Sequence, residues 1–106
     1  MKDVQFAIKR AKNQDQKAFN EIFNSHWEYL YNFQLKRTAN QELAEEISIM
    51  TFAKAFDRIK TFDSRYNFKT WLSTISKNIQ IDLIRKKIKN QQLKQYRLMM
   101  TTNHRV

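Results

Sequence analysis

Glycine, proline and cysteine are all missing from this chain of 106 residues. Each absence excludes something. Without cysteine there is no disulfide framework, no thiolate metal site and no thiol nucleophile. Without glycine there is no Gly-rich loop to cradle a phosphate. Turns that need positive φ fall to Asn and Asp, which disfavours an all-β chain built on tight hairpins. With neither Gly nor Pro present, nothing interrupts a long helix. No apolar run approaches the roughly 18 residues of a membrane span, so no membrane insertion is expected. The opening Met1-Lys2-Asp3-Val4 lacks the apolar segment of a secretion signal. The expected fold class is all-α: one compact, soluble, intracellular bundle of about four helices.

What is present is basic charge, and it is uneven. The chain carries 20 Lys and Arg against 10 Asp and Glu, a net charge of +10. Residues 1–53 hold seven cations and seven acids, whereas 54–106 hold thirteen cations and three acids, the last being Asp82. All of the excess lies in the second half. Such a gradient fits a polyanionic partner for that half, or a solvated Lys-rich surface; charge alone leaves both readings open.

Hydrophobic spacing predicts four helical segments. The first runs over about 3–12, with Asp3 as N-cap and Val4, Ala7, Ile8 and Ala11 on one face. Asn13 stands where a left-handed residue is wanted. Asp15 caps a second segment over 16–38, with its stripe at Phe19, Ile22, Phe23, Trp27, Leu30 and Phe33. Asn40 caps a third over 41–60, whose core face is Ala44, Ile47, Thr51, Phe52, Ala55 and Ile59. Its other face carries Glu45, Glu46, Ile49, Met50, Ala53 and Asp57, half acidic and half apolar. That face suits a protein partner, unless the first helix covers Ile49 and Met50.

Residues 60–69 have no helical stripe but interleave Phe62, Tyr66 and Phe68 with Lys60, Arg65 and Lys69. Rings that stack on bases and cations that hold phosphates are the chemistry of unstacked-strand binding. The alternative is that Phe62 and Phe68 pin the loop to the core, with Tyr66 the most exposed of the three. The fourth segment starts near Thr70, read as its cap. Trp71, Leu72, Ile75, Ile79 and Leu83 form its core stripe, and Thr74, Lys77, Asn78, Ile81, Arg85 and Ile88 a neighbouring one. Asp82 is placed to pair with Arg85 or Lys86. Residues 1–90 are read as the domain and 91–106 as a polar linker or disordered tail.

Catalytic chemistry is sparse. His26 and His104 have no partner ligands. Glu45 and Glu46 are adjacent and so point about 100° apart on a helix. Ser48, Ser73 and Ser76 have no His–Asp arrangement nearby. No enzyme, metal or cofactor is expected.

The span 15–90 resembles region 2 of the sigma-70 family of RNA polymerase sigma factors, in particular the extracytoplasmic-function group. The motifs are Asp15-Gln16-Lys17-Ala18-Phe19; Ala44-Glu45-Glu46-Ile47 through Phe52; Phe62-Asp63; Phe68, Trp71-Leu72 and Ile75; and Asn78, Asp82 and Arg85-Lys86-Lys87 in order. Ile49-Met50 stands where the family usually has Gln-Glu. The resemblance implies a cytoplasmic protein that docks the third helix on the clamp helices of the polymerase β′ subunit. Docking would use Glu45, Glu46, Ile49, Met50, Ala53 and Asp57. It also implies recognition and opening of the promoter −10 element. Phe62, Arg65, Tyr66, Lys69, Lys77, Asn78, Ile81, Arg85, Lys86 and Lys87 would contact the non-template strand. An anti-sigma factor is a further partner of this kind. The family's second globular region, which reads the −35 element, has no counterpart after residue 90, so the chain is expected to be one part of a longer protein. A non-specific basic nucleic-acid binder, and an interaction module that binds polymerase or an anti-sigma factor without promoter readout, are the other readings.

Overall fold

A computed structural model describes residues 4–103, with side chains described over 4–100. Asp3, the expected first cap, and His104 lie outside the described residues. Among the described residues there are four α-helices and one 3-10 turn: α1 Val4–Lys12, α2 Gln16–Thr38, α3 Gln41–Asp57, the turn Ile59–Thr61, and α4 Phe68–Asn103. There is no strand among the described residues.

The helix starts follow from side-chain oxygens satisfying free backbone N–H groups. Asp15 accepts from the Lys17 N–H at 3.0 Å, and Asn40 accepts from the Leu43 N–H at 3.0 Å. The cap of α4 is Asn67, not Thr70: its Oδ1 accepts from the Thr70 N–H at 3.0 Å, and α4 begins two residues earlier than expected. The third helix ends at Asp57, and residues 59–61 tighten into the 3-10 turn.

Without glycine, two ordinary residues take the left-handed positions. They are Gln14 at φ 65° and Ala39 at φ 53°. Asn13, the expected left-handed residue, instead donates its Nδ2 to the Lys9 carbonyl at 3.3 Å. Ala39 is held in place because its N–H closes the end of α2 onto the Leu35 carbonyl at 2.8 Å.

The helices pack around one core in which Ile8, Ile22, Leu30, Ile47, Ile59 and Leu72 are fully buried. Helices α2 and α3 run antiparallel through a ring ladder: Phe23 meets Phe52 at 4.8 Å and Phe19 meets Phe56 at 4.9 Å between centroids. Helices α2 and α4 run parallel and are joined by polar pairs. The Tyr29 hydroxyl lies 3.0 Å from Ser73 Oγ, and Gln34 Nε2 donates to Ser76 Oγ at 2.9 Å. Arg10 ties α1 to the second helix, bonding Asp15 at 2.8 Å and Glu21 at 3.0 Å. The Arg10 guanidinium holds the Asp15 carboxyl below its ordinary range.

The molecule measures 70 × 25 × 23 Å. The long dimension comes from α4, which does not stop near residue 90. It continues as helix to Asn103, and every side chain from Arg85 to Met100 is exposed. Residues 91–103, part of the span 91–106 expected as a polar linker or disordered tail, are therefore helical.

Candidate nucleic-acid and partner-binding surface

The connection between α3 and α4 is anchored at both ends and open in the middle. Phe62 is 2% exposed and Phe68 3%. Their rings meet edge-on at 5.3 Å, and Phe62 packs on Trp71 at 4.9 Å. Lys12 Nζ donates to the Phe62 carbonyl at 2.6 Å, which ties the loop to α1. Phe62 is therefore a core anchor: of the two readings given for it, its packing on two aromatic neighbours, Phe68 and Trp71, favours the one in which it pins the loop. Tyr66, by contrast, is 67% exposed.

Between loop and helix lies an open cavity of about 570 Å³, lined by Thr61, Phe62, Asp63, Tyr66, Asn67, Thr70 and Trp71. Phe62 and Trp71 give it an apolar base, while Asn67, Thr70 and Thr61 give it hydrogen-bonding groups. A flat ring with polar edges fits such a lining. The loop itself is shaped by Asp63. Its carboxylate accepts from the Arg65 backbone N–H at 3.0 Å and from Arg65 Nη2 at 2.6 Å. The Arg65 side chain keeps the Asp63 carboxyl below its ordinary range. Arg65 is thus exposed but already paired, rather than a free cation.

The exposed stripe of α4 is as the spacing predicts: Thr74, Lys77, Asn78, Ile81, Arg85 and Ile88 all face solvent. Thr70 belongs to this stripe and also lines the cavity, so the two form one continuous surface. Lys69 lies over the Tyr29 ring at 4.9 Å and Lys77 over the Phe33 ring at 5.8 Å. Both heads stay near rings of α2, exposed Tyr29 and half-buried Phe33, which orients them. Lys86 and Lys87 are exposed, and Lys87 Nζ is 4.0 Å from Glu46 Oε2. Asp82 makes no ion pair with Arg85 or Lys86 among the described residues; it lines a groove with Met50, Ala53, Ile79, Leu83 and Lys86.

On α3, Glu45, Glu46, Ile49, Met50, Ala53 and Asp57 are all exposed, with Ile49 at 51% and Met50 at 42%. The first helix does not cover them; it packs on α2 and the 3-10 turn. Glu42, Glu45, Glu46, Ile49 and Met50 line a shallow surface hollow of about 410 Å³. The apolar patch therefore stands open with an acidic rim.

His26 is buried at 6% exposure. Its Nδ1 lies 2.9 Å from both the Ile22 carbonyl and Ser25 Oγ, and its ring meets Phe68 edge-on at 5.1 Å. Burial pushes its pKa below the ordinary value; the Ile22 bond opposes this, and Lys69 adds to it. No cluster of three or more metal-ligating side chains occurs among the described residues. No helix among them is long and apolar enough to cross a membrane.

Residues 22–89 match the family model of Sigma-70 region 2. The chain belongs to the sigma-70 region 2 family. Among its relatives is the ECF RNA polymerase sigma factor SigW of Bacillus subtilis, 38% identical over 80 residues, which is 76% of this chain and 43% of SigW. The ECF RNA polymerase sigma factor SigM of the same organism is 33% identical over 69 residues, covering 65% of this chain and 42% of SigM. The chain spans less than half the length of these relatives. The fold is that of an engineered region 2 of sigmaE, solved by NMR in complex with GTAAAA. The TM-score is 0.78 at 21% identity, over 84% of this chain and 93% of that one.

Sequence reasoning missed three contributors to this region 2 surface. Asn67 both caps α4 and lines the cavity, and its position three residues before Thr70 was the available signal. Thr61 and Thr70 supply hydroxyls to the same cavity. The pairing of Ser73 and Ser76 with α2 had only a weak signal, two serines spaced to face one neighbouring helix.

Proposed function

We propose that this chain is the part of an extracytoplasmic-function sigma factor that docks on core RNA polymerase and captures the opened −10 strand of a promoter. The observation that carries the reading is the continuous surface running from the 570 Å³ cavity, through Thr70, onto the exposed stripe of α4. A base turned out of the non-template strand enters the cavity and stacks on Tyr66. Stacking contributes about 1–3 kcal/mol per base, enough to offset an unstacking cost of a few kcal/mol. Asn67 and Thr70 offer hydrogen-bond partners at the cavity rim, and Asn78 offers a donor and an acceptor to the next base edge. Lys69, Lys77, Ile81, Arg85, Lys86 and Lys87 flank the strand. Arg65 acts first by shaping the loop through Asp63, and can reach a phosphate only by sharing or leaving that pair.

The exposed face Glu45, Glu46, Ile49, Met50, Ala53 and Asp57 docks on the clamp helices of the β′ subunit. An anti-sigma factor competes for the same apolar patch. The chain performs no covalent chemistry: binding energy drives opening, and the work is done in the cytoplasm where the polymerase acts. A purely charge-driven binder is disfavoured, because it has no need of an aromatic-based cavity beside an amide.

The test is binding of single-stranded −10 oligonucleotides by the chain together with core polymerase. Wild type discriminates among sequences, and Asn78→Ala reduces that discrimination. Equal affinity for all sequences in the presence of polymerase would refute promoter readout.

A further inference from the structure

Helix α1 lies outside residues 22–89, which match the family model, yet its last residue reaches the loop between α3 and α4. A surface lysine keeps its charged head in water. Lys12 is half-buried instead, and its Nζ donates to the Phe62 carbonyl, 50 residues on, at 2.6 Å. That carbonyl has no other donor among the described residues. The Phe62 N–H donates to the Ile59 carbonyl at 3.1 Å, and the ring packs on Phe68 and Trp71. Phe62 is therefore held three ways: its ring by the core, its N–H by the 3-10 turn, and its carbonyl by α1. The open part of the loop begins at the next residue. Asp63 accepts the Arg65 N–H on its side chain and the Tyr66 N–H on its carbonyl, both at 3.0 Å. A peptide unit is planar, so fixing the Phe62 carbonyl fixes the direction in which this turn leaves. The Asp63 carboxyl is lowered first by its Arg65 bonds and further by the Lys12 charge. The mount is firm as well. Ile8 and Ala11 are fully buried, and Arg10 bonds Asp15 at 2.8 Å and Glu21 at 3.0 Å.

We propose that Lys12 is a positioning residue for strand capture: through the Phe62 carbonyl it holds the loop in the form that shapes the cavity and presents Tyr66. The proposal rests on the reading of that cavity as a base-binding site, and adds α1 to the elements that build it. Lys12 does not itself line the cavity, so its effect passes through the loop. A loop that is competent only part of the time weakens affinity by that fraction. A bond from α1 removes the cost before the strand arrives. Direct contact between Lys12 and a strand phosphate is the competing role. It is disfavoured because the head is half-buried and already bonded to a backbone carbonyl.

The experiment compares wild type with Lys12→Met, which keeps the length of the stem and removes the donor, and with Lys12→Arg, which keeps a donor. Circular dichroism verifies equal helicity. In the chain alone, amide exchange followed by NMR should show Phe62 and Tyr66 exchanging about tenfold faster in Lys12→Met, the low end of what one charge-assisted hydrogen bond is worth. Exchange at Ile22 and Leu72 in the core should be unchanged, and Lys12→Arg should lie closer to wild type. Affinity for the preferred −10 single strand should fall about three- to tenfold in Lys12→Met, the full factor being reached once the loop is mostly released. In a Tyr66→Ala background the same change should cost less than about twofold, because the two residues act as one unit. Unchanged exchange at Phe62 and Tyr66 overturns the proposal, as does faster exchange throughout the core. Strand losses that simply add in the double variant also overturn it. So does a single-strand salt slope shallower by about 0.7, which would make Lys12 a phosphate contact. Failure of the strand-binding reading looks different: wild type then has no preferred sequence and Tyr66→Ala loses nothing, while the exchange rates still report whether Lys12 holds the loop.

Discussion

Two aromatic residues four positions apart in one loop should respond to truncation in opposite ways. Phe62 is 2% exposed and has ring neighbours at 4.9 and 5.3 Å, whereas Tyr66 is 67% exposed. Removing the Phe62 ring opens a hole under the cavity and strips two aromatic pairs. Phe→Ala at such a site costs about 3–5 kcal/mol, a large share of the roughly 5–15 kcal/mol that holds a domain together. In urea, with a slope of about 1–3 kcal/mol per M, the midpoint should fall by at least about 1 M. Tyr66→Ala removes surface that water already wets, so its stability should stay within about 0.5 kcal/mol of wild type. Binding of the −10 single strand should instead weaken by about 1–3 kcal/mol, roughly five- to 150-fold. Urea unfolding followed by circular dichroism, and fluorescence anisotropy with a labelled oligonucleotide, measure the two effects. Tyr66→Phe supplies the control, since stacking needs the ring and not the hydroxyl: it should bind within about twofold of wild type, because the π-face is kept. If Tyr66→Phe loses as much as Tyr66→Ala, or if Phe62→Ala leaves the midpoint in place, the division into anchor and platform is wrong.

Other outcomes follow from the same surfaces. Glu46→Arg with Met50→Arg changes only exposed positions, so the fold should survive with unchanged helicity while pull-down of core polymerase is lost; retained capture would exclude α3 as the docking face. Asn78→Ala should weaken some −10 sequences more than others, whereas Lys87→Ala should weaken all of them and flatten the single-strand salt slope by about 0.7. Ala39→Gly should raise stability by about 1 kcal/mol, because Ala39 sits at φ 53° where a Cβ is penalised; no gain in the urea midpoint would refute that. The buried His26 has its pKa lowered by folding, so the unfolded chain binds the extra proton more readily. Stability should therefore be unaffected by this group above its ordinary value near 6.5 and fall as pH drops below it. His26→Gln should flatten that part of the stability profile, and an identical profile in wild type and variant would rule out His26 as its source.

The elements differ in how far the sequence alone determined them, and the differences are physical. Apolar spacing reports burial, so the stripes of α2 and α3 could be read directly: Ile22, Leu30, Ile47 and Phe52 are where the periodicity put them. Capping by Asp15 and Asn40 was legible because each stands immediately before the first residue of its helix. At α4, Asp63, Ser64, Asn67 and Thr70 all qualify, and only the three-dimensional path of the loop selects Asn67. Gln14 takes positive φ in place of Asn13 because the turn geometry is set by Arg10, whose carbonyl accepts from both Asn13 and Asp15 N–H groups. Phe62 was ambiguous for the same reason: composition cannot tell a ring that holds a loop down from one that the loop holds up.

The far end of α4 and the α3 patch show where periodicity fails as a guide. Beyond residue 84 the helix continues because Gln, Lys, Arg, Leu and Met are good helix formers and no Gly or Pro stops them. Its side chains from Arg85 to Met100 are exposed, so no buried apolar stripe marks it as structured. On α3, Ile49 and Met50 break the alternation that a free surface would have. A helix built for its own core shows one apolar face. A helix that must also meet another molecule shows a second, incomplete face, which no contact within the chain explains. The absence of glycine fits the same division. The two left-handed turns at Gln14 and Ala39 carry a steric cost of about 1–2 kcal/mol each. They lie at the ends of α1 and α2, away from the cavity, the stripe and the patch. The surfaces proposed for binding are built from regular helix and one capped loop, so their geometry does not depend on the strained turns. Relief of the turn at Ala39 by Gly should accordingly change stability and leave strand affinity unaltered. A joint change in both would mean that the turn and the binding surface are coupled after all.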